Sequence, residues 1–235
     1  MQVRRLALIA ILAMLFAPLP VAADIVSLAW QDLLPKGYSA ADAKAKALRL
    51  RLESFPEARL EAYRKINTQR VLQDDIENGI LKMEELTPDN QALLKIDYAS
   101  QFSEAAMAAN EADQLYAKFN ELDKMTNTDL DGKIIKVPGY VLPLEFSHTK
   151  TVEFLLVPFV GACIHTPPPP PNQMIHVHFE PGFENRGLYT PVYITGRLSA
   201  ISSTIALFLT DGQSNVKTGY RLEATIVEPY RRAQQ

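Results

Sequence analysis

Residues 127–144, NTDLDGKIIKVPGYVLPL, mark the point where the chain changes texture, and that change decides the fold class. Asp131-Gly132 is a turn pair, and from Ile134 to Leu144 apolar and β-branched residues run with Pro138-Gly139 as an interruption, which reads as strand. Further strand candidates follow at residues 152–157, 174–179, 192–198, 205–209 and 220–227. Turn residues separate them at Pro158, Pro181-Gly182, Asp211-Gly212 and Gly219. Strands at this spacing with no helix between them close into a small antiparallel barrel or sandwich.

Upstream the pattern is different. Residues 39–125 are rich in Ala, Leu, Glu, Lys and Gln, contain one glycine, Gly79, and repeat apolar residues at helical spacing. Ser39 with Asp42 predicts the cap of a helix that ends near Ser54, before Phe55-Pro56. A second helix starts near Glu57, buries Leu60, Tyr63 and Val71, and stops at Asn78-Gly79. Thr87-Pro88 opens a third and longest one, with Leu94, Tyr98, Phe102, Ala105, Ala109, Leu115, Phe119 and Leu122 close to one stripe. The expected class is therefore α+β: a helical amino-terminal region over residues 24–126, then a β-barrel module, OB-like or sandwich-like, over residues 127–235.

The amino terminus supplies an address. MQVRR is basic, residues 6–19 are apolar, and Val21-Ala22-Ala23 offers the small residues a signal peptidase needs ahead of Asp24. The apolar stretch is shorter than the roughly 20 residues that span a bilayer. Residues 1–23 are thus expected to be a cleaved signal peptide, no later segment is long enough to cross a membrane, and the expected location is the periplasm. Of the 24 Lys and Arg, Arg4 and Arg5 leave with the signal, so 22 face 27 Asp and Glu for a net charge of −5. That balance argues against a nucleic-acid partner. One cysteine, Cys163, excludes an internal disulfide in a compartment where paired cysteines are usual.

Cys163 lies in residues 161–173, GACIHTPPPPPNQ, beside His165 and an unbroken run from Pro167 to Pro171. This string, with GYVLPLEF at 139–146 and GYRLEATIVEPY at 219–230, resembles an uncharacterised bacterial family known as domain of unknown function 3299. The opening WQDLLP at 30–35 is similar to how such proteins begin. The resemblance implies secreted proteins of Gram-negative bacteria, often encoded beside transport systems, with a tie to metal handling and no established activity. A component of an inner-membrane transport system is the partner it implies. The family pattern maps onto Glu145, Cys163, His165, Asn172 and Gln173, while His148, His176 and His178 fall outside it. The helical stretch 41–120 is longer than the corresponding part of the family.

Read from the residues themselves, the string leaves several chemistries open. On an extended chain Cys163 and His165 project from the same side, their base positions about 7 Å apart. A thiolate and an imidazole are ligands for zinc or copper, with Glu145 a candidate third donor and His148, His176 and His178 weaker ones. Cys163 is equally readable as a small buried hydrophobe among Phe159, Val160 and Ile164. As a nucleophile it would need His165 or His176 as base and the amide of Asn172 or Gln173 as oxyanion donor, making a thiol-dependent hydrolase or transferase. Pro167, Pro168, Pro169, Pro170 and Pro171 predict a polyproline II rod that either meets a partner or, with Asn172 and Gln173, shapes the loop. His176 and His178 alternate with Ile175, Val177 and Phe179, which places both imidazoles on one face of a strand. The expected function is a periplasmic accessory or binding protein, with the thiol enzyme and a purely structural docking module as alternatives.

Overall fold

The computed structural model describes residues 24–147, 149–162, 168–185, 187–209 and 212–230. The signal-peptide expectation for residues 1–23 lies outside the described residues.

Among the described residues, five helices form the amino-terminal region: α1 (Tyr38–Glu53), α2 (Glu57–Glu77), α3 (Pro88–Leu93), α4 (Tyr98–Gln101) and α5 (Ser103–Leu122). The cap of α1 is Gly37, held at φ +94°, rather than Ser39. The long third helix expected from Thr87 is broken into α3, α4 and α5. Thr87 does cap α3, accepting from the Asn90 N–H, but Asp97 caps a new start by accepting from Ser100 N–H at 3.0 Å. Gln69 of α2 donates its side-chain amide to both Leu93 O and Ile96 O at 2.7 Å, satisfying carbonyls that the break leaves without helical partners. On α2 the buried face is Ala62, Ile66 and Leu72, and Val71 is exposed. The helical core is made of small residues: Ala105 and Ala109 of α5 meet Ala62 and Ile66, and Ala108 meets Leu48 of α1.

The carboxy-terminal part is a closed barrel. Its strands are β2 (Ile134–Ser147), β3 (Lys150–Val157), β4 (Ile175–Phe183), β5 (Thr190–Ser199) and β8 (Tyr220–Pro229), in the order β2-β3-β4-β8-β5 with β5 pairing back onto β2. A short β1 (Val26–Ser27) lies parallel on β2, and a hairpin of β6 (Ser203–Leu209) and β7 (Gly212–Thr218) projects between β5 and β8. The pairing of β4 with β8 is parallel, and every other neighbour in the ring is antiparallel. A closed ring with an odd number of strands must contain a parallel pair, so a purely antiparallel barrel was never open to five strands. Pro138-Gly139 does not interrupt β2, and β7 stands where only a turn was read. Its sequence, GQSNVKT, carries one buried apolar side chain, Val216, and so lacks the alternation that marks a strand.

Inward-facing Ile135, Val137, Val141, Phe154, Leu156, Ile175, Val177, Ile194 and Leu222 fill the barrel, all with no more than traces of exposure. Gly196 lets β5 and β8 approach: a Cβ there would lie 2.3 Å from Glu223 O. A second cluster lies outside the barrel, where Leu207 and Val216 of the hairpin cover Leu142, Leu155 and Val157 together with Ala162 and Met174. Ala162, the last described residue before 163–167, belongs to that cluster.

Candidate functional site

The segment carrying Cys163, His165 and Pro167 lies outside the described residues, as does His148. At the entry, Gly161 takes φ +91°, and Ala162 is buried in the outer cluster beside Leu155. Tyr189 donates its hydroxyl to Ala162 O at 2.6 Å and its N–H to Val141 O at 2.8 Å. It does so from φ +60°, a left-handed conformation that costs a bulky residue about 1–3 kcal/mol and persists only where its surroundings fix it.

At the exit, Pro168 is exposed and Pro169 buried, Pro170 has polyproline II dihedrals of −59° and 152°, and Pro171 begins a 3-10 turn over Pro171–Gln173. The run therefore ends as an anchor. Asn172 is fully buried, and its side-chain amide donates to Leu122 O at 2.8 Å and Met125 O at 3.1 Å, at the end of α5. Gln173 donates to Trp30 O and to Asn172 O, each at 3.1 Å. Pro171 O accepts from Gly219 N–H at 2.6 Å, an approach so close that a Cβ on Gly219 would lie 2.9 Å from that oxygen. Next to Gly219, the buried Tyr220 accepts from Asn127 N–H at 2.5 Å and donates to Leu33 O at 2.6 Å. Burial pushes its phenol above the ordinary value, and the bond from Asn127 pulls the other way. Asn172, Gln173, Gly219 and Tyr220 thus join the opening segment, the end of α5 and the barrel at one buried node. Both side-chain amides are spent on main-chain carbonyls, so neither is a free oxyanion donor.

The other expected residues that are described, Glu145, His176 and His178, sit on β2 and β4, on either side of β3. His176 and His178 point away from the barrel core, as their alternation predicts. His176, only 12 % exposed, bonds through Nε2 to Glu153 Oε1 at 2.5 Å. His178 is the register partner of Glu153 on one side and of Glu223 on the other. Glu145 is exposed and pairs across strands with Glu153 at a bulge. Leu155, the register partner of His176, packs with Ala162, so the start of the cysteine segment and the Glu153–His176 pair share a face. Among the described residues, no three His, Cys, Asp or Glu side chains converge to hold a metal ion.

The family model described as a protein of unknown function (DUF3299) matches residues 30–229. The chain belongs to DUF3299. A solved structure, that of a DUF3299 family protein from Pseudomonas aeruginosa PAO1 at 2.45 Å resolution, is similar with 24 % identity over 90 % of this chain and 99 % of that chain, at a TM-score of 0.46. No curated protein matches this one.

Three features of this DUF3299 chain escaped the sequence. Glu153 was not singled out, because a lone acid in a strand carries no signal until its register partner is known. Tyr189 reveals itself only through its dihedral. The outer face of β2 and β5 carries a groove lined by rings, and a signal for it was present: the repeated Pro-x-Tyr of Pro138 to Tyr140 and Pro191 to Tyr193.

Among the described residues no helix is long and apolar enough to cross a membrane.

Proposed function

We propose that this protein is a non-enzymatic periplasmic accessory protein that binds a metal ion, zinc or copper, or a partner through the barrel face around Cys163 and His165, working beside an inner-membrane transport system. The observation that carries this reading is that described residues on both sides of 163–167 are tied down, Ala162 before it and Asn172 and Gln173 after it. Tyr189 holds its entry from a costly backbone conformation, and the buried Asn172–Gln173 node holds its exit. The metal half rests on donor chemistry. Imidazole and carboxylate stand on the face next to Ala162 in His176 and Glu153, and the sequence adds a thiol and a second imidazole in the loop. Cys163 and His165 would hold the ion, with Glu145 as a further donor. The transport half rests on the family likeness.

Metal analysis of the protein isolated from its native periplasm tests the reading. Near-stoichiometric zinc or copper, lost in Cys163→Ser and in His165→Ala, is the expected result. Metal-free protein, or content unchanged by both substitutions, contradicts its metal half.

One observation favours a second reading. Glu153 takes Nε2 of His176 and leaves Nδ1 for another group, the way a carboxylate orients a general base for a cysteine nucleophile. On that reading Cys163 is a thiolate attacking a carbonyl, and its alkylation near neutral pH is fast without metal and slowed by His176→Ala.

A further inference from the structure

Strands β2 and β5 meet on the side of the barrel away from β4, and their outward side chains form a square. In the antiparallel register Pro138 pairs with Tyr193 and Tyr140 pairs with Pro191, so the two prolines lie on one diagonal and the two tyrosines on the other. Proline inside a paired strand gives up a ladder donor, and here it occurs on both strands of a closed barrel. Trp30 and Tyr230 extend the square into a groove of about 590 Å³, a size usual for a ligand site. Pro158 adds a seventh ring to the wall, and no charged side chain among the described residues lines it.

The rings are locked in place. Trp30 donates its indole N–H to Pro138 O at 2.8 Å. Tyr230 donates its backbone N–H to Pro191 O at 3.0 Å, and its ring stacks on Tyr193 with centroids 5.0 Å apart. Lys136 covers the ring of Tyr193 at 5.1 Å while paired to Glu228 at 2.6 Å, so its charge is already matched. The hydroxyls of Tyr140, Tyr193 and Tyr230 have no hydrogen-bond partner among the described residues. Rigid aromatic faces lose little side-chain entropy when covered.

From this geometry we infer that the groove of Trp30, Tyr140, Tyr193 and Tyr230 is a docking site for a proline-rich, polyproline II segment of a partner protein. The match is electrostatic as well as steric. The groove offers flat rings, three unspent O–H donors and no charge. A proline-rich strand offers ring faces, carbonyl acceptors with no internal partner, and no N–H that would need an acceptor. The proline run of a second copy of this chain fits less well, since Pro169 is buried and the carbonyls of Pro170 and Pro171 already accept from Gln173, Met174 and Gly219.

Trp30 is the single tryptophan of the chain, so its fluorescence reports on the groove directly. Titrating the mature protein with a short oligoproline peptide should give a saturable change in emission. Tyr140→Ala and Tyr193→Ala should each weaken binding about tenfold or more, and Tyr116→Ala, exposed on α5, should leave it unchanged. If the alanine variants fail to fold, the double variant Tyr140→Phe, Tyr193→Phe removes only the donors and should weaken binding several-fold; unchanged affinity there overturns the proposal. So does the absence of a saturable response, an equal response to a Gly/Ser peptide of the same length, or a response to a neutral oligosaccharide but not to oligoproline. Self-association that Tyr193→Ala abolishes, with no oligoproline binding, would assign the groove to a second copy and likewise overturn it.

Discussion

Two sets of contacts tie distant parts of this chain together, and they differ in kind. At the junction of the two regions, a few neutral hydrogen bonds from Asn172, Gln173 and Tyr220 reach buried or half-buried main-chain groups far away in sequence. In the helical region, α1 and α2 are tied to α5 by exposed ion pairs, Arg51 with Glu111 at 2.5 Å, Arg59 with Glu104 and Arg70 with Asp113, laid over a stripe of alanines. Water can replace an exposed ion pair, whereas a buried carbonyl that loses its donor has nothing to turn to. The strings that carry the family likeness supply the buried set. The exposed set is built from charges that many other arrangements could replace.

The largest effect expected from breaking this contrast is at Asn172. Replacing it with Ala strips a donor from two carbonyls at the end of α5, and the loss should be about 2–4 kcal/mol by denaturant unfolding. Tyr220→Phe keeps the ring and removes one hydroxyl that both donates and accepts, for a loss of about 1–2 kcal/mol. Asp123, just past α5, sharpens the comparison with a gain. Its Oδ1 is buried without a partner, and burial raises its pKa above the ordinary carboxylate value. The folded chain therefore holds the proton more tightly than the unfolded one. Stability attributable to this group rises as pH falls through the folded pKa, and the charged form opposes folding at neutral pH. Asp123→Asn should stabilise by less than about 1 kcal/mol at pH 7, with the gain vanishing in acid where the native carboxyl is protonated. Arg51→Ala should cost no more than about 0.5 kcal/mol, and less at high salt.

The fold class was legible because it rests on periodicity. Residues 134–144 and most of the strands after them are short apolar runs bounded by turn residues, residues 39–125 repeat at helical spacing, and no long-range information is needed to see the change. The parallel β4–β8 pairing was not legible, since it follows from how many strands close the ring. The break of the third helix was hidden because Gln69, some thirty residues before Asp97, satisfies the freed carbonyls. For the site, sequence picked out Asn172 and Gln173 and left open what their amides do. The carbonyls that receive them belong to Leu122, Met125 and Trp30, which only the folded chain brings near. Glu153 was invisible for the same reason, and His176 looked like a solvated residue until the pairing of β3 with β4 brought Glu153, the register partner of His178, diagonally beside it.

The central claim is that Cys163 is a metal ligand, and the most direct measurement is the alkylation rate of Cys163 in the native protein with and without a chelator. The account predicts slow labelling of the protein as isolated and labelling at least about tenfold faster once metal is removed, with added zinc or copper restoring protection. Labelling at the same rate in both conditions, whether fast or negligible, would contradict it.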